Sequence, residues 1–388
     1  MEKISRKRNL LFIAAIILVS LNLRAPIIGV GSLVSIIQKD LSLSGGIAGF
    51  LTTIPLLVFA VVSPLAGSIA RRFGIGRVLF ISMLVVAVGI VLRSWCGSFG
   101  LFFGTVLLGI GIGVSNVLIP GVIKERFPDR IGAVTGIYAS AMSLACAGAA
   151  AAAVPLAAAG LGWRGSLGVL AFLAVGAACV WMPLRGFTAR HDAAHRHGTV
   201  WKSKTAWFCT LYMGTQAILF YSISAWLPSI LAERGIDSVA AGTMASVYQL
   251  VAVPVNLAIP LVTGRFRDLR KLTFLIALTY FCGVLCLWLG RSAGILWLAT
   301  VICGCATAAT FSLCMTLIGL RTHNSDDAAE LSGMLQSLGY LIAAIGPVLY
   351  GKLFDLSGSW SVPTFVMVLG MLLNAVAGNL AGRSGFVE

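Results

Sequence analysis

The feature that most constrains this chain is an apolar run of about twenty residues that keeps recurring. Such runs cover residues 10–37, 46–70, 77–95, 100–123, 131–157, 166–184, 204–231, 239–263, 271–289, 294–319, 331–353 and 361–381, with short charged stretches between them. The hydrocarbon core of a bilayer is ~30 Å thick, which a helix crosses in ~20 residues. A soluble domain of 388 residues must cover its surface with charge, and a chain that is 59% hydrophobic and 11% charged cannot do so. The other way to span lipid is a β-barrel, which needs alternating strands of ~10 residues. These runs are continuously apolar and about twice that length. The expected fold class is an all-α membrane protein of twelve transmembrane helices, with no separate soluble domain.

The net charge of +15 raises nucleic acid as a partner, but the basic residues sit in loops, as the positive-inside rule requires. No basic domain with interleaved exposed aromatics is present, so no nucleic-acid partner is expected. With a cytoplasmic N-terminus, the opposite side holds six Lys and Arg residues: Lys39, Arg93, Arg164, Arg234, Arg291 and Lys352. Arg24 falls inside a span, and the other 21 of the 28 face the cytoplasm. This bias places the chain in a bacterial inner membrane with both termini cytoplasmic. The start resembles a signal peptide, with Lys3, Arg6, Lys7 and Arg8 before an apolar run. No small-residue cleavage site follows, so the expectation is an uncleaved first span. Nine cysteines, eight of them inside spans and without a metal-type pair, read as small buried apolar residues.

The longest polar stretch, Arg185 to Lys204, divides the chain nearly in half. The expected organisation is an N-terminal six-helix half (1–185), a cytoplasmic linker (186–203) and a C-terminal six-helix half (204–388). His191, His195 and His197 lie in that linker and read as solvated, with no metal site expected. The halves echo each other. Lys124, Asp129, Gly136 and Ser140 match Arg321, Asp326, Gly333 and Ser337 at one constant offset. Gly49, Leu57, Arg72, Phe73 and Arg77 match Gly242, Leu250, Arg265, Phe266 and Arg270 at another. Parallel repeats of this kind place a substrate site at the repeat interface near the midplane.

Gly67-x-x-x-Arg71-Arg72-Phe73-Gly74 followed by Arg77 resembles the helix 2–3 loop motif of the major facilitator superfamily, with Arg71 where that motif usually has an acid. Leu21-Asn22-Leu23-Arg24-Ala25-Pro26, Gly136-Ile137-Tyr138, Ala225-Trp226-Leu227-Pro228 and Leu331-Ser332-Gly333-Met334-x-Gln336-Ser337-x-Gly339-Tyr340 resemble its cyanate and 2-nitroimidazole transporter branch. The resemblance implies the major facilitator fold and transport of cyanate-like anions or nitroheterocycles.

Arg24 is the sharpest single signal. It lies mid-way along the first span, where an arginine costs ~3 kcal/mol on insertion scales and must face protein or a wet cavity. Ser20, Ile28, Gly31 and Ser35 share its face at helical spacing. Every Asp and Glu falls in an expected loop or helix end, and the sequence places none at the depth of Arg24. A permanently charged guanidinium there favours an anion or a ligand with strong acceptor atoms. The uncharged candidates are Asn116, Tyr138, Gln216, Tyr221, Tyr248, Gln249, Gln336 and Tyr340. An amide or phenol in hydrocarbon needs a partner, which a ligand or another helix can supply. Gln336 and Tyr340 lie one turn apart on one face and, with Arg24, form the preferred clamp on one ligand. Trp226 reads equally as an interfacial anchor.

No Walker or dinucleotide pattern follows a strand, so no cofactor and no ATP-driven step is expected. The histidines and acids do not reach the membrane core, which leaves no catalytic constellation. The expected function is secondary transport, by alternating access, of a small anion or small planar polar compound (cyanate-like, nitrite/nitrate-like or nitroimidazole-like) by a monomer in the lipid bilayer. The alternative is a multidrug or antibiotic exporter with an aromatic-lined cavity.

Overall fold

The computed structural model describes residues 2–42, 45–188, 199–263, 265, 266 and 268–387. Regular structure among them is helical throughout. Hydrocarbon offers no water to an unpaired N–H or C=O, and a helix satisfies all of its backbone within one segment. The first helices are α1 (Glu2–Leu41), α2 (Gly45–Phe73), α3 (Ile75–Trp95), α4 (Gly97–Arg126), α5 (Ile131–Leu156), α6 (Gly162–Gly168) and α7 (Leu170–Trp181). A short α8 (Thr199–Lys202) precedes α9 (Lys204–Glu233), α10 (Ser238–Leu250), α11 (Ala252–Thr263), α12 (Arg270–Leu289), α13 (Ala293–Leu320), α14 (Ser325–Ser357) and α15 (Ser361–Ala381).

Eleven helical runs among the described residues are long and apolar enough to cross a membrane, and the one from Pro128 to Leu184 is 57 residues long. At 1.5 Å per residue that run would reach about 85 Å, far beyond one bilayer core. It turns at Gly160 (φ 97°) and Gly162 (φ 59°), in the left-handed region that glycine enters without steric cost. The run therefore holds two crossings, α5 and α6–α7, and the total is the twelve expected.

Several boundaries differ from the sequence expectation. The run expected over 239–263 is split into α10 and α11 at Val251, because Pro254 has no N–H to give the Leu250 carbonyl. The eleventh crossing starts at Ser325 rather than residue 331. Asn324 accepts the Asp327 amide at 2.8 Å, and the acids in this first turn suit the positive end of the helix dipole. Asp326 and Asp327, read as loop residues, are thereby buried at that helix start. Arg93, expected at the end of the 77–95 run and counted with the charges of the non-cytoplasmic side, is a last-turn residue of α3 and is buried, at 1% exposure. Cys179 and Cys282, read as buried, are exposed. A membrane helix is apolar on its outer face as well as its inner one, so composition does not assign a small residue to either. Of the linker expected over 186–203, residues 189–198, with His191, His195 and His197, lie outside the described residues. No cluster of metal-ligating side chains occurs among the described residues.

The chain divides into two compact units. The first comprises Met1–Arg130, Ile137–His195 and Asn324–Gly333. In it α3 and α4 meet backbone to backbone. A Cβ on Gly104 would lie 2.5 Å from both the Arg93 nitrogen and the Gly89 oxygen, the close approach that small residues permit between membrane helices. Helix α1 is tied to α7 by the Trp181 indole, which donates to the Ala15 carbonyl at 3.3 Å. The Asn22 amide donates to Leu173 O at 3.1 Å on the same seam. At the far end of α1, Trp163 Nε1 donates to Asp40 at 3.0 Å and Arg164 pairs with it at 2.8 Å. These contacts, the indole bond foremost, hold the Asp40 carboxyl below its usual range.

The second unit comprises Ile131–Gly136, Arg196–His323 and Met334–Glu388. Its core interleaves α9, α12, α13 and α15 through Leu219, Ile223, Tyr280, Val284, Leu296 and Met371. Asn374 of α15 donates to Thr215 Oγ1 of α9 at 3.0 Å. Glu233 accepts the Trp360 amide at 2.7 Å and the Ser359 hydroxyl at 2.9 Å, joining the end of α9 to the start of α15. Large apolar side chains such as Phe172, Phe274 and Leu373 are exposed, as the face of a helix that meets lipid chains must be.

Gly104→Ala forces its methyl group against two backbone atoms and lowers stability by about 1–3 kcal/mol. Gly176→Ala, where an added Cβ meets nothing within 4 Å, leaves it unchanged. Thermal unfolding of the purified protein in detergent compares the two directly.

Candidate functional site

The first unit carries Arg24, Asn116 and Tyr138. Arg24 lies on α1 inside the membrane-crossing run Lys7–Val30 and is half-buried. It is within electrostatic reach of Cys146 on α5. Of the residues expected on its face, Ser20 is fully buried and donates to Ile16 O in its own helix at 2.6 Å. Ile28 is half-buried. Asn116 on α4 and Tyr138 on α5 come together, with the phenol donating to Asn116 Oδ1 at 3.3 Å in a buried setting. Spacing along the sequence could not pair them, because the bond joins two different helices.

The second unit carries the other six. Gln216 and Tyr221 lie on α9, Tyr248 and Gln249 on α10, and Gln336 and Tyr340 on α14. Four aromatic rings form a wall within this unit. Tyr221 meets Tyr340 edge-on, with centroids 6.3 Å apart. Phe220 touches Tyr221 at 5.0 Å and stacks on Tyr248 at 6.5 Å. The Tyr248 hydroxyl shares a 3.1 Å hydrogen bond with Thr307 Oγ1 on α13. Gln249 Nε2 donates to Ser224 Oγ at 3.5 Å, the outer limit for such a bond. Gln216, Gln336 and Tyr340 are buried, while Tyr221 and Gln249 are half-buried. Tyr340 and Tyr221 therefore meet, whereas Arg24 belongs to the first unit and Gln336 and Tyr340 to the second.

Four participants escaped the sequence reading. Phe220, Ser224 and Thr307 are ordinary span residues until the fold sets them beside Tyr248 and Gln249; a phenylalanine next to Tyr221 was the one available signal. The fourth is Arg93, whose Nη1 donates to the Pro26 carbonyl at 2.6 Å, two residues beyond Arg24. Trp226, read equally as an interfacial anchor, donates to Pro347 O at 2.9 Å and packs on Trp360 at 5.0 Å. It acts as a tie between α9 and α14.

Twelve crossings with polar side chains buried among them fit a membrane transport protein. The Major Facilitator Superfamily model matches residues 10–347, and the chain belongs to that family. It is 39% identical over 385 residues to the 2-nitroimidazole transporter of Escherichia coli K12, covering 98% of this chain and 97% of that one. It is 29% identical over 353 residues to the cyanate transport protein CynX of the same organism, covering 89% and 90%. Among solved structures, the proton:xylose symporter XylE superposes with a TM-score of 0.80 at 13% identity, covering 97% of each chain, which shows the fold. The chain is a multi-pass membrane transporter that takes a small-molecule substrate, and not an enzyme.

Edge-to-face aromatic pairs add about 0.5–1.5 kcal/mol beyond area burial. A double-mutant cycle on Tyr221→Ala and Tyr340→Ala, read by thermal unfolding, is expected to return a coupling of about that size. Strict additivity would mean that the rings do not support each other.

Proposed function

We propose that this protein is a secondary transporter for a small anion or small planar polar compound, of the cyanate, nitrite/nitrate or nitroimidazole kind. It works by alternating access in a bacterial inner membrane, as a monomer with both termini cytoplasmic. The observation that carries this reading is Arg24: a guanidinium on a membrane-crossing helix, only half-buried. Such a group is charged at every accessible pH and binds carboxylate-like or other electron-rich acceptors through short charge-assisted bonds. The Asn116–Tyr138 pair in the same unit offers an amide and a phenol to orient a small ligand. The relatives that move cyanate and 2-nitroimidazole support the same substrate class. Transport draws on the two repeats, 1–185 and 204–388, joined by 186–203.

Coupling follows from where the acids are. Every described Asp and Glu sits in a loop or within the first or last two turns of a helix. Mid-span carboxylates that could relay protons are therefore absent among the described residues. The driving force in this reading comes from the substrate's own proton or from exchange, or coupling is absent. An antibiotic exporter is the second reading, favoured by the aromatic wall alone, and it makes no use of Arg24.

Reconstituted protein should take up cyanate, nitrite, nitrate or a nitroimidazole. Arg24→Ala should raise KM by about 10- to 100-fold, the loss of one charge-assisted hydrogen bond worth about 1.5–3 kcal/mol. Arg24→Lys should retain part of the activity. Full-rate transport by a folded Arg24→Ala protein, or transport of bulky drugs alone, would favour the exporter.

A further inference from the structure

Among the described residues of the first unit, Arg93 is the one large charged side chain closed off almost completely, at 1% exposure. Its Nη1 donates to Pro26 O at 2.6 Å. Nε and Nη2 are sealed from solvent and meet no acceptor among the described residues. A guanidinium has five donors and does not lose its proton in a protein. A permanent charge is thus held by a single carbonyl.

A basic residue in the last turn of a helix ordinarily answers the carbonyls of its own helix end. Arg93 occupies that place in α3, yet its hydrogen bond goes across to α1. Stability alone is a poor reason for the arrangement, because a buried ionic group replaced by an apolar side chain of similar volume is often neutral or stabilising. What the bond does achieve is to hold Pro26. Proline has no N–H, so the Asn22 carbonyl one turn earlier lacks its usual helical donor. The turn that carries Arg24 is then one backbone bond short and depends on its neighbours. On one side the Asn22 amide spans Leu18 O at 2.8 Å and Leu173 O at 3.1 Å. On the other stands Arg93, whose own backbone is fixed by the approach of Gly104, where an added Cβ would lie 2.5 Å from the Arg93 nitrogen.

We infer that Arg93 is a positioning residue: by clamping the Pro26 carbonyl it fixes the turn of α1 that presents Arg24 to the substrate. The inference rests on the reading of Arg24 as the ligand-binding group. It adds a specificity determinant that no ligand touches, since the side chain is closed to solvent. Its fixed charge also adds positive potential to the interior of the same unit.

The test uses full-length protein in proteoliposomes, with radiolabelled cyanate and with 2-nitroimidazole. It compares wild type with Arg93→Met, Arg93→Lys, Arg24→Ala and the Arg24→Ala/Arg93→Met double variant. Methionine keeps the bulk and removes the charge and the donor. Arg93→Met is expected to melt at or above the wild-type temperature in detergent, with KM raised about 10- to 100-fold, the scale of a misplaced binding group. Arg93→Lys, which keeps the charge and a shorter donor, is expected to lie in between. The double variant should be no worse than Arg24→Ala alone, because a clamp that acts through Arg24 has nothing left to position. Wild-type KM and rate in Arg93→Met overturns the inference, as does a double variant whose defects simply multiply. If Arg93→Met does not accumulate, Arg93→Lys decides: a raised KM at wild-type melting temperature supports the clamp, and wild-type KM overturns it. Arg24→Ala at full rate removes the underlying reading of Arg24. A defective Arg24→Ala beside a normal Arg93→Met removes only the clamp.

Discussion

A peptide group left without a partner in hydrocarbon costs several kcal/mol, and the rest of this protein is arranged around that penalty. It makes every crossing a helix. It also fixes where a helix can break. The turn between α5 and α6 uses two glycines with positive φ, and the interruption between α10 and α11 falls where Pro254 withholds a donor. Pro26 creates the same deficit within α1, and the side chains around it, Asn22 and Arg93, reach to neighbouring carbonyls at that point.

Within each unit the packing follows from the same absence of water. Lipid chains are as apolar as leucine, so helices gain little by hiding apolar surface from lipid and hold together through close approach and polar ties. The α3–α4 seam is of the first kind, with Gly104 against the backbone of α3. The Asn374–Thr215 bond and the Glu233 acceptor of two donors near Trp360 are of the second. Polar residues that the sequence offers as ligand contacts take part in such ties as well. Tyr138 donates to Asn116 and Tyr248 shares a proton with Thr307. A phenol held in this way has a fixed direction, which is what a selective site requires of it.

The charge pattern separates two kinds of buried arginine. Arg24 is half-buried on a crossing helix, where a guanidinium can meet a ligand. Arg93 is closed off and can act only through the backbone it holds. The two are linked along α1 by the turn that contains Pro26, whose carbonyl accepts from Arg93 two residues beyond Arg24. The aromatic side chains of the second unit supply flat, polarizable surface instead of charge.

The number of crossings, their helical nature and the family were legible in the sequence. Each depends on a property that runs along the chain: twenty-residue apolar length, spacing of charges, a motif at fixed intervals. Arg93 was counted among the charges of the far side because it lies near the end of its span, and linear position carries no information on which neighbouring helix a long side chain will reach. The exposure of Cys179 and Cys282 was hidden for a related reason, since inner and outer faces of a membrane helix are equally apolar. The burial of Asp326 and Asp327 depended on the helix start set by Asn324. The pairings Asn116–Tyr138 and Tyr221–Tyr340 join residues far apart in the chain. Apolar length and charge spacing thus determined what this chain becomes in a membrane. Tertiary structure alone decided which polar groups meet, because contacts between helices depend on the rotation and depth of each, and local sequence specifies neither.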